Sequence, residues 1–581
     1  MAKPRNTSAP ASQTSDAMTP ARFEKELRDL KHKAESHSPL QDMLARIAPT
    51  VKSAFLLFML GVSSTVSQLA LSPTFGGIPA AVHHSKLTAT GCFIGWASSL
   101  FLVRIARTDL DKLLPVIAIW IPALQFVLGN MSDLMTVEWG PTVVEAATLL
   151  PLIVVSAAEV ASTLEGATVR FLPGWIGDSL PGLASLLFFK TVESVSSAKI
   201  PMMLGSSVLA SRVGIQLAIA AIYALYAPSK LLLLGLPAVA HAAILNTHLP
   251  TAAATVLLQA SLEKDAWKLI ARKESVTGYV SVLESMERGF RVMRCDHSLL
   301  GGLWVKFKSG KVAEPVYSVF VMLEAVRLVL TKKPIVDISA KALVIGLGIG
   351  TTPGAFIAHG INTTIVEIDP AVHEFAVEHF GLDTNHVPVI DDAVSYTAAL
   401  AKSDPESFEY IVHDVFTGGA EPVPLFTLEF LQGLKDLLKP DGVIAINYAG
   451  DFLLPPSKAV VSTIHSIFPS CRIFREIERL TEEQIKEMNQ DFSNMVIFCR
   501  KSAEPIEFRA ATDADFLGTS TRKLTLQPRF EVHDDDFKAV GETGLVTRND
   551  TSQLEQYRDS SARGHWIIMR TVLPSFVWER W

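Results

Sequence analysis

The sequence predicts two architectures in series: an N-terminal polytopic α-helical membrane bundle, then an α/β domain built on an open, mostly parallel sheet. Three observations carry this. At 581 residues with a mean hydropathy of +0.30, the chain is too long for one domain and too apolar for an ordinary soluble protein. Its apolar residues concentrate before residue 263. Beyond residue 340, short β-prone runs alternate with helical stretches, and each run ends on a polar residue, which is where open α/β sheets bind ligands.

Residues 1–49 read as a polar tail. The Ser, Thr, Pro and Ala content before Met18 predicts disorder, and the charge alternation over 22–35 a solvated helix. No compact apolar core lies near the start, so the tail does not resemble a cleaved signal. Residues 50–263 supply the bundle. Candidate spans are 54–71, 87–105, 114–131, 143–162, 208–225 and 231–245, with 180–195 and 250–262 ambiguous, giving six to eight crossings. Lys31, Lys33, Arg46 and Lys52 flank the first span and Arg104, Arg107 and Lys112 follow the second, whereas the loop over 132–140 has no Lys or Arg. That alternation predicts a cytosolic N-terminus, and a catalytic domain on the same side requires an even number of crossings.

Residues 264–503 form the α/β domain. A buried strand over 342–345 is followed by Gly346, Gly348 and Gly350, a turn that lets backbone approach a ligand, and by a helix over 353–359. A second strand, 363–368, carries Glu367, 21 residues after Gly346, where a carboxylate can accept from ribose hydroxyls. After a helix over 371–380, a third strand, 387–390, ends at Asp391 and Asp392, placed for an adenine amine. A fourth, 410–413, ends at Asp414, and a fifth spans 443–447. Segments 471–474 and 495–499 complete a seven-stranded sheet. A dinucleotide enzyme shares the glycine turn, but the strand order favours an S-adenosyl donor.

These residues resemble the Rossmann-like class I fold of S-adenosylmethionine-dependent transferases. Within it, the stretch 279–500 is most similar to the membrane-fused, spermidine/spermine synthase-like family, on Gly346-Leu-Gly-Ile-Gly350, Val366-Glu-Ile-Asp-Pro370, Ile390-Asp-Asp392 and the run from His413 to Asn447. The resemblance implies that the glycine turn holds the donor's methionine portion, Glu367 the ribose and Asp392 the adenine amine. It also implies β-hairpins over 279–305, with Asp296 in a turn. One departure decides the chemistry. Aminopropyltransferases of this family carry a second aspartate three residues after the first, and here Thr417 stands there. A threonine cannot act as that base near neutral pH, whereas methyl transfer needs chiefly an oriented nucleophile. The reading is therefore a methyltransferase on a small or membrane-delivered acceptor, with Asp414 as the catalytic candidate and His413 and Tyr448 behind it. The alternatives are polyamine aminopropyl transfer from decarboxylated S-adenosylmethionine, and a transporter or sensor whose sheet domain binds an adenosyl ligand without turnover.

Cys92, Cys295, Cys471 and Cys499 show no paired spacing, so neither a disulfide framework nor a zinc site is expected. A net charge of −7 without a basic stripe argues against nucleic acid as partner. His83-His84 lacks further ligands, 533–536 reads as an acidic surface turn, and Glu145 and Glu159 within the fourth span read as helix-packing or cavity-lining groups. Residues 504–581 form an extension that either packs over the domain's mouth or rests Trp566, Trp578 and Trp581 at the membrane interface.

Overall fold

The computed structural model describes residues 24, 25, 28, 39–106, 109–165, 173–307, 310–415, 419–537 and 540–581. The readings of the polar tail before residue 24 and of Thr417 lie outside them.

The bundle is organised on helix Pro39–Phe75, whose Leu56 and Leu60 pack with Leu149, Leu152, Phe189 and Tyr223 in one fully buried cluster. Among the described residues, three helices are long and apolar enough to cross a membrane, within Ile47–Phe75, Leu110–Gly129 and Gly140–Thr163. A fourth span results if Gly77–Ala97 and Ser99–Ala106, bent by 71°, count as one. The sequence predicts six to eight helices of that kind; the described residues hold three, or four with the bent pair taken together. Local breaks explain the difference. Ser211 caps the helix Arg212–Tyr226 by accepting from the Gly214 N–H, which leaves 15 residues, fewer than the ~20 a helix needs to cross the hydrocarbon core. The apolar run after Ser229 divides into a 3₁₀ turn, Lys230–Gly235, and a nine-residue helix, Leu236–Ile244. The buried Glu145 and Glu159 pair with His84 Nδ1 at 2.7 Å and Lys52 Nζ at 2.6 Å, and the half-buried Glu193 with Lys190 Nζ at 2.7 Å.

A five-stranded antiparallel sheet follows, in the order β1 (Trp267–Glu274), β2 (Tyr279–Ser285), β3 (Phe290–Cys295), β4 (Ser298–Trp304) and β5 (Glu314–Pro315). The main sheet comprises β6 (Lys341–Ile345), β7 (Asn362–Glu367), β8 (Val387–Ile390), β9 (Phe408–His413), β10 (Leu438–Asp451), β11 (Ser470–Arg475), β12 (Phe492–Arg500) and β13 (Phe530–Val532), in the order β13-β11-β12-β10-β9-β6-β7-β8. It has eight strands rather than seven, because the three-residue β13 adds an edge. Strands β6 to β10 are parallel, while β12 runs antiparallel between β10 and β11. The chain leaves β6 toward β7 and β8 on one side and returns to β9 and β10 on the other, so the crevice at the carboxyl ends of β6 and β9 is the switch point where such sheets bind ligands.

Cys471 and Cys499 form a disulfide, contrary to the expectation from the sequence. Their separation of 28 residues gives no spacing signal, but the antiparallel register of β11 and β12 sets the two directly opposite each other.

The extension does not rest its last tryptophans at a membrane surface. Trp578 and Trp581 are fully buried; Trp581 stacks on His248 with centroids 3.8 Å apart, and Arg294 lies 4.9 Å over the Trp578 ring. Trp566 Nε1 donates to the Thr74 carbonyl at 3.2 Å. Arg294, itself buried, donates to the carbonyls of Pro73 at 2.8 Å and Val577 at 2.5 Å, so one guanidinium joins the first bundle helix, β3 and the C-terminal segment.

Candidate active site

The main cavity, about 1050 Å³, opens at the switch point. Cavities for one drug-sized ligand run to roughly 300–1,000 Å³, so this one has room for a donor and an acceptor together. Its floor is the ends of β6, β7, β9 and β10 and its walls include the β3–β4 turn. The roof is built from Gly76–Val82 of the bundle and from helix Arg558–Val572 of the extension. Gly346, Gly348, Glu367, Asp392 and Asp414 all line it. Gly350 does not; it caps the helix Thr351–Ala358 from behind, at φ +84°.

The glycine turn is bare for a steric reason. Gly346 and Gly348 sit at φ +87° and +54°, and a Cβ on them would overlap the carbonyl oxygens of Asp414 and Leu300 respectively. Glu367 is 9% exposed and accepts the N–H of Leu347 at 3.0 Å and of Asp369 at 2.9 Å. Burial pushes its carboxyl up to about 7, against those backbone donors. Asp392 Oδ2 accepts the Ser395 N–H at 2.9 Å and caps the next helix, while Asp391 beside it lines the same cavity and is exposed. The bare turn, the strand-end carboxylate and the acidic pair lie along one edge of the cavity, a set that fits an adenosyl donor.

Burial also pushes the Asp414 carboxyl up to about 6, opposed by the Asn447 amide, which donates to Oδ1 at 2.8 Å. Tyr448 follows Asn447 on β10 and lines the cavity; its phenol is held well above the usual range by burial and by the nearby Glu421 carboxylate. His413 faces away from the cavity. It is wholly buried between Phe426 and Phe430, with centroids 4.9 and 5.7 Å away, and burial lowers it to about 4, so it is a core residue.

Sequence reasoning missed Glu421, buried and lining the cavity seven residues beyond Asp414, and Arg558, the lone Arg or Lys among the described lining residues. A carboxylate between Ala420 and Pro422 was the available signal for the first; nothing near Arg558 pointed inward. Among the charged lining residues the acidic ones dominate, which suits cationic ligands.

Fold and site together define a pocket for an S-adenosyl donor on a spermidine synthase-like sheet domain, and a relative matched over most of the chain makes it an S-adenosylmethionine-dependent methyltransferase. The spermine/spermidine synthase domain family matches residues 326–473. The chain is 44% identical over 548 residues, 91% of its own length and 97% of the relative's, to the N-terminal histidine N-methyltransferase of Emericella nidulans, and it belongs to that family. A polyamine aminopropyltransferase from Vibrio vulnificus is 32% identical over 137 residues, which is 23% of this chain and 44% of that protein. The spermidine synthase structure from Thermotoga maritima overlaps 41% of this chain and 74% of that one at 19% identity, with a TM-score of 0.30.

Proposed function

We infer that the chain methylates a histidine nitrogen at the N-terminus of a peptide or protein acceptor. One observation carries the reading: the relative matched over 97% of its length bears that activity in its name. S-adenosylmethionine, when bound, supplies a methyl group already activated on a sulfonium. In this reading the Gly346–Gly348 turn admits the donor against bare backbone, Gly350 sets the following helix, Glu367 accepts from the ribose and Asp392 from the adenine amine. Asp414 faces the acceptor. With its carboxyl near 6 it is ionised at neutral pH and close to the ordinary imidazolium value of ~6.5, which suits it to take the proton from an imidazolium acceptor and free the lone pair of the nitrogen that attacks the methyl group. The Asn447 amide fixes one oxygen and leaves the other for that proton.

The apolar helices are assigned to the lipid bilayer, with the N-terminus and catalytic domain cytosolic on the charge alternation of the loops. The Cys471–Cys499 bond pulls the other way, because disulfides persist in oxidising compartments. Protease protection in sealed microsomes decides: digestion of the C-terminal domain without detergent supports the cytosolic side, and protection overturns it. For the reaction, purified full-length protein is supplied with methylated or decarboxylated donor and with either a histidine-initiated peptide or putrescine. Gain of one methyl on the peptide is expected. Aminopropylated putrescine, or methylation confined to internal residues, would overturn the reading.

A further inference from the structure

The active-site cavity contains a carboxylate that the donor scheme does not use. Glu421 is 6% exposed and lines the cavity that Asp414 lines. Its loop is pinned at both ends. Gly419, at φ +98°, lies so close to helix Arg558–Val572 that a Cβ there would stand 2.8 Å from Ala562 Cα and His565 Cβ. At the other end Phe426 packs edge-on against Tyr448, with centroids 5.5 Å apart, and Pro422 and Pro424 stiffen the segment between. The loop therefore presents Glu421 from a fixed position. Burial raises the Glu421 carboxyl, and Arg558 and the hydrogen-bonding Tyr448 beside it oppose that shift and favour its charge. Where the resembling transferases place a second aspartate, this chain has Thr417, and the cavity regains an acidic group four residues later.

We propose that Glu421 is the acceptor-binding carboxylate, receiving a hydrogen bond from the free α-ammonium of the acceptor's first residue and so restricting methylation to a histidine at a chain terminus. The inference rests on the function proposed above. A histidine within a chain offers the same imidazole but lacks the free flanking amine, which an anion buried in the cavity that Asp414 lines is suited to recognise. A charge-assisted hydrogen bond of this kind corresponds to about 10- to 150-fold in binding.

The test uses full-length protein and two peptides of one sequence beginning with histidine, one with a free amine and one N-acetylated. Wild type is expected to show a KM about 10- to 150-fold higher for the acetylated peptide. Glu421→Gln is expected to raise KM for the free peptide to the acetylated value, abolishing the discrimination, while kcat and the affinity for S-adenosylhomocysteine stay within a few-fold. Glu421→Asp should restore part of the preference. Wild type that methylates both peptides with equal KM overturns the proposal even if the variants fail to fold, and so does a folded Glu421→Gln that keeps the preference. A role confined to loop anchoring would lower kcat on both peptides alike and leave their KM ratio intact, which also overturns it. Wild type that binds donor but methylates neither peptide refutes the parent reading instead.

Discussion

Donor affinity should fall as pH drops through neutrality, because the ribose partner titrates there. Glu367 is enclosed, and burial raises its carboxyl to about 7 despite hydrogen bonds from Asp369 and Leu347. Only the ionised form accepts two hydroxyl donors. If binding requires it, the apparent Kd scales as one plus the ratio of protonated to ionised carboxyl, about 1.1 at pH 8 and about 11 at pH 6, a tenfold loss. The sign for folding is opposite. An acid whose folded pKa lies above its unfolded value destabilises the fold most when ionised, above pH 7, and that penalty shrinks as pH falls toward ~4.5. Lowering the pH from 8 to 6 therefore relieves the free protein at this group while weakening the donor. Glu367→Gln removes the charge, so the pH slope should vanish and affinity at pH 8 should drop by about 1.5–3 kcal/mol, about 10- to 150-fold. The assay is isothermal titration calorimetry of full-length protein in detergent with S-adenosylhomocysteine, whose uncharged sulfur couples only weakly to Asp414. Affinity constant within twofold from pH 8 to pH 6, or wild-type affinity in Glu367→Gln, would refute the reasoning.

Further outcomes follow from the same geometry. Asp414→Asn should lower kcat by about 10²–10⁴ while donor affinity changes little, and wild-type initial rates should fall as pH drops through about 6, where Asp414 gains its proton; an unchanged kcat in the variant would contradict the base assignment. Gly346→Ala should abolish the calorimetric heat of donor binding, since a methyl group would meet the Asp414 carbonyl and the left-handed backbone adds a cost of about 1–2 kcal/mol. Trp578→Ala should destabilise the fold by about 3–5 kcal/mol, read as a lowered thermal midpoint, because the ring is buried under Arg294 at the junction of bundle, hairpins and extension.

The parallel half of the sheet was legible in the sequence because its signals are local: a four-residue apolar run, a glycine turn, and a carboxylate at a fixed distance. The strands at 342–345, 363–368 and 410–413 correspond to β6, β7 and β9 within two residues at each end, and Gly346, Gly348, Glu367, Asp392 and Asp414 meet at one cavity. What was not legible depends on long-range packing. Hydropathy cannot register that Ser211 starts a helix late or that the chain bends by 71° after Ala97, so it predicts more crossing-length helices than the described residues hold. The Cys471–Cys499 pairing depends on the register of two strands separated by a helix and a turn. The cavity roof comes from Gly76–Val82 and from a helix nearly 500 residues later in the chain, a juxtaposition without any local signature. Residue type alone misjudged His413: its position before Asp414 on β9 turns it into the core, against Phe426 and Phe430.

The central claim is that an adenosyl donor lies across the carboxyl ends of β6, β7 and β9 with its sulfur toward Asp414. A structure of the full-length protein with S-adenosylhomocysteine tests it most directly. The predicted result is ribose hydroxyls within hydrogen-bond distance of the Glu367 carboxylate, the chain passing over Gly346 and Gly348, and the sulfur directed at the space between Asp414 and Glu421. Density for the nucleoside elsewhere in the cavity, with Glu367 still bound only to its own backbone, would contradict it.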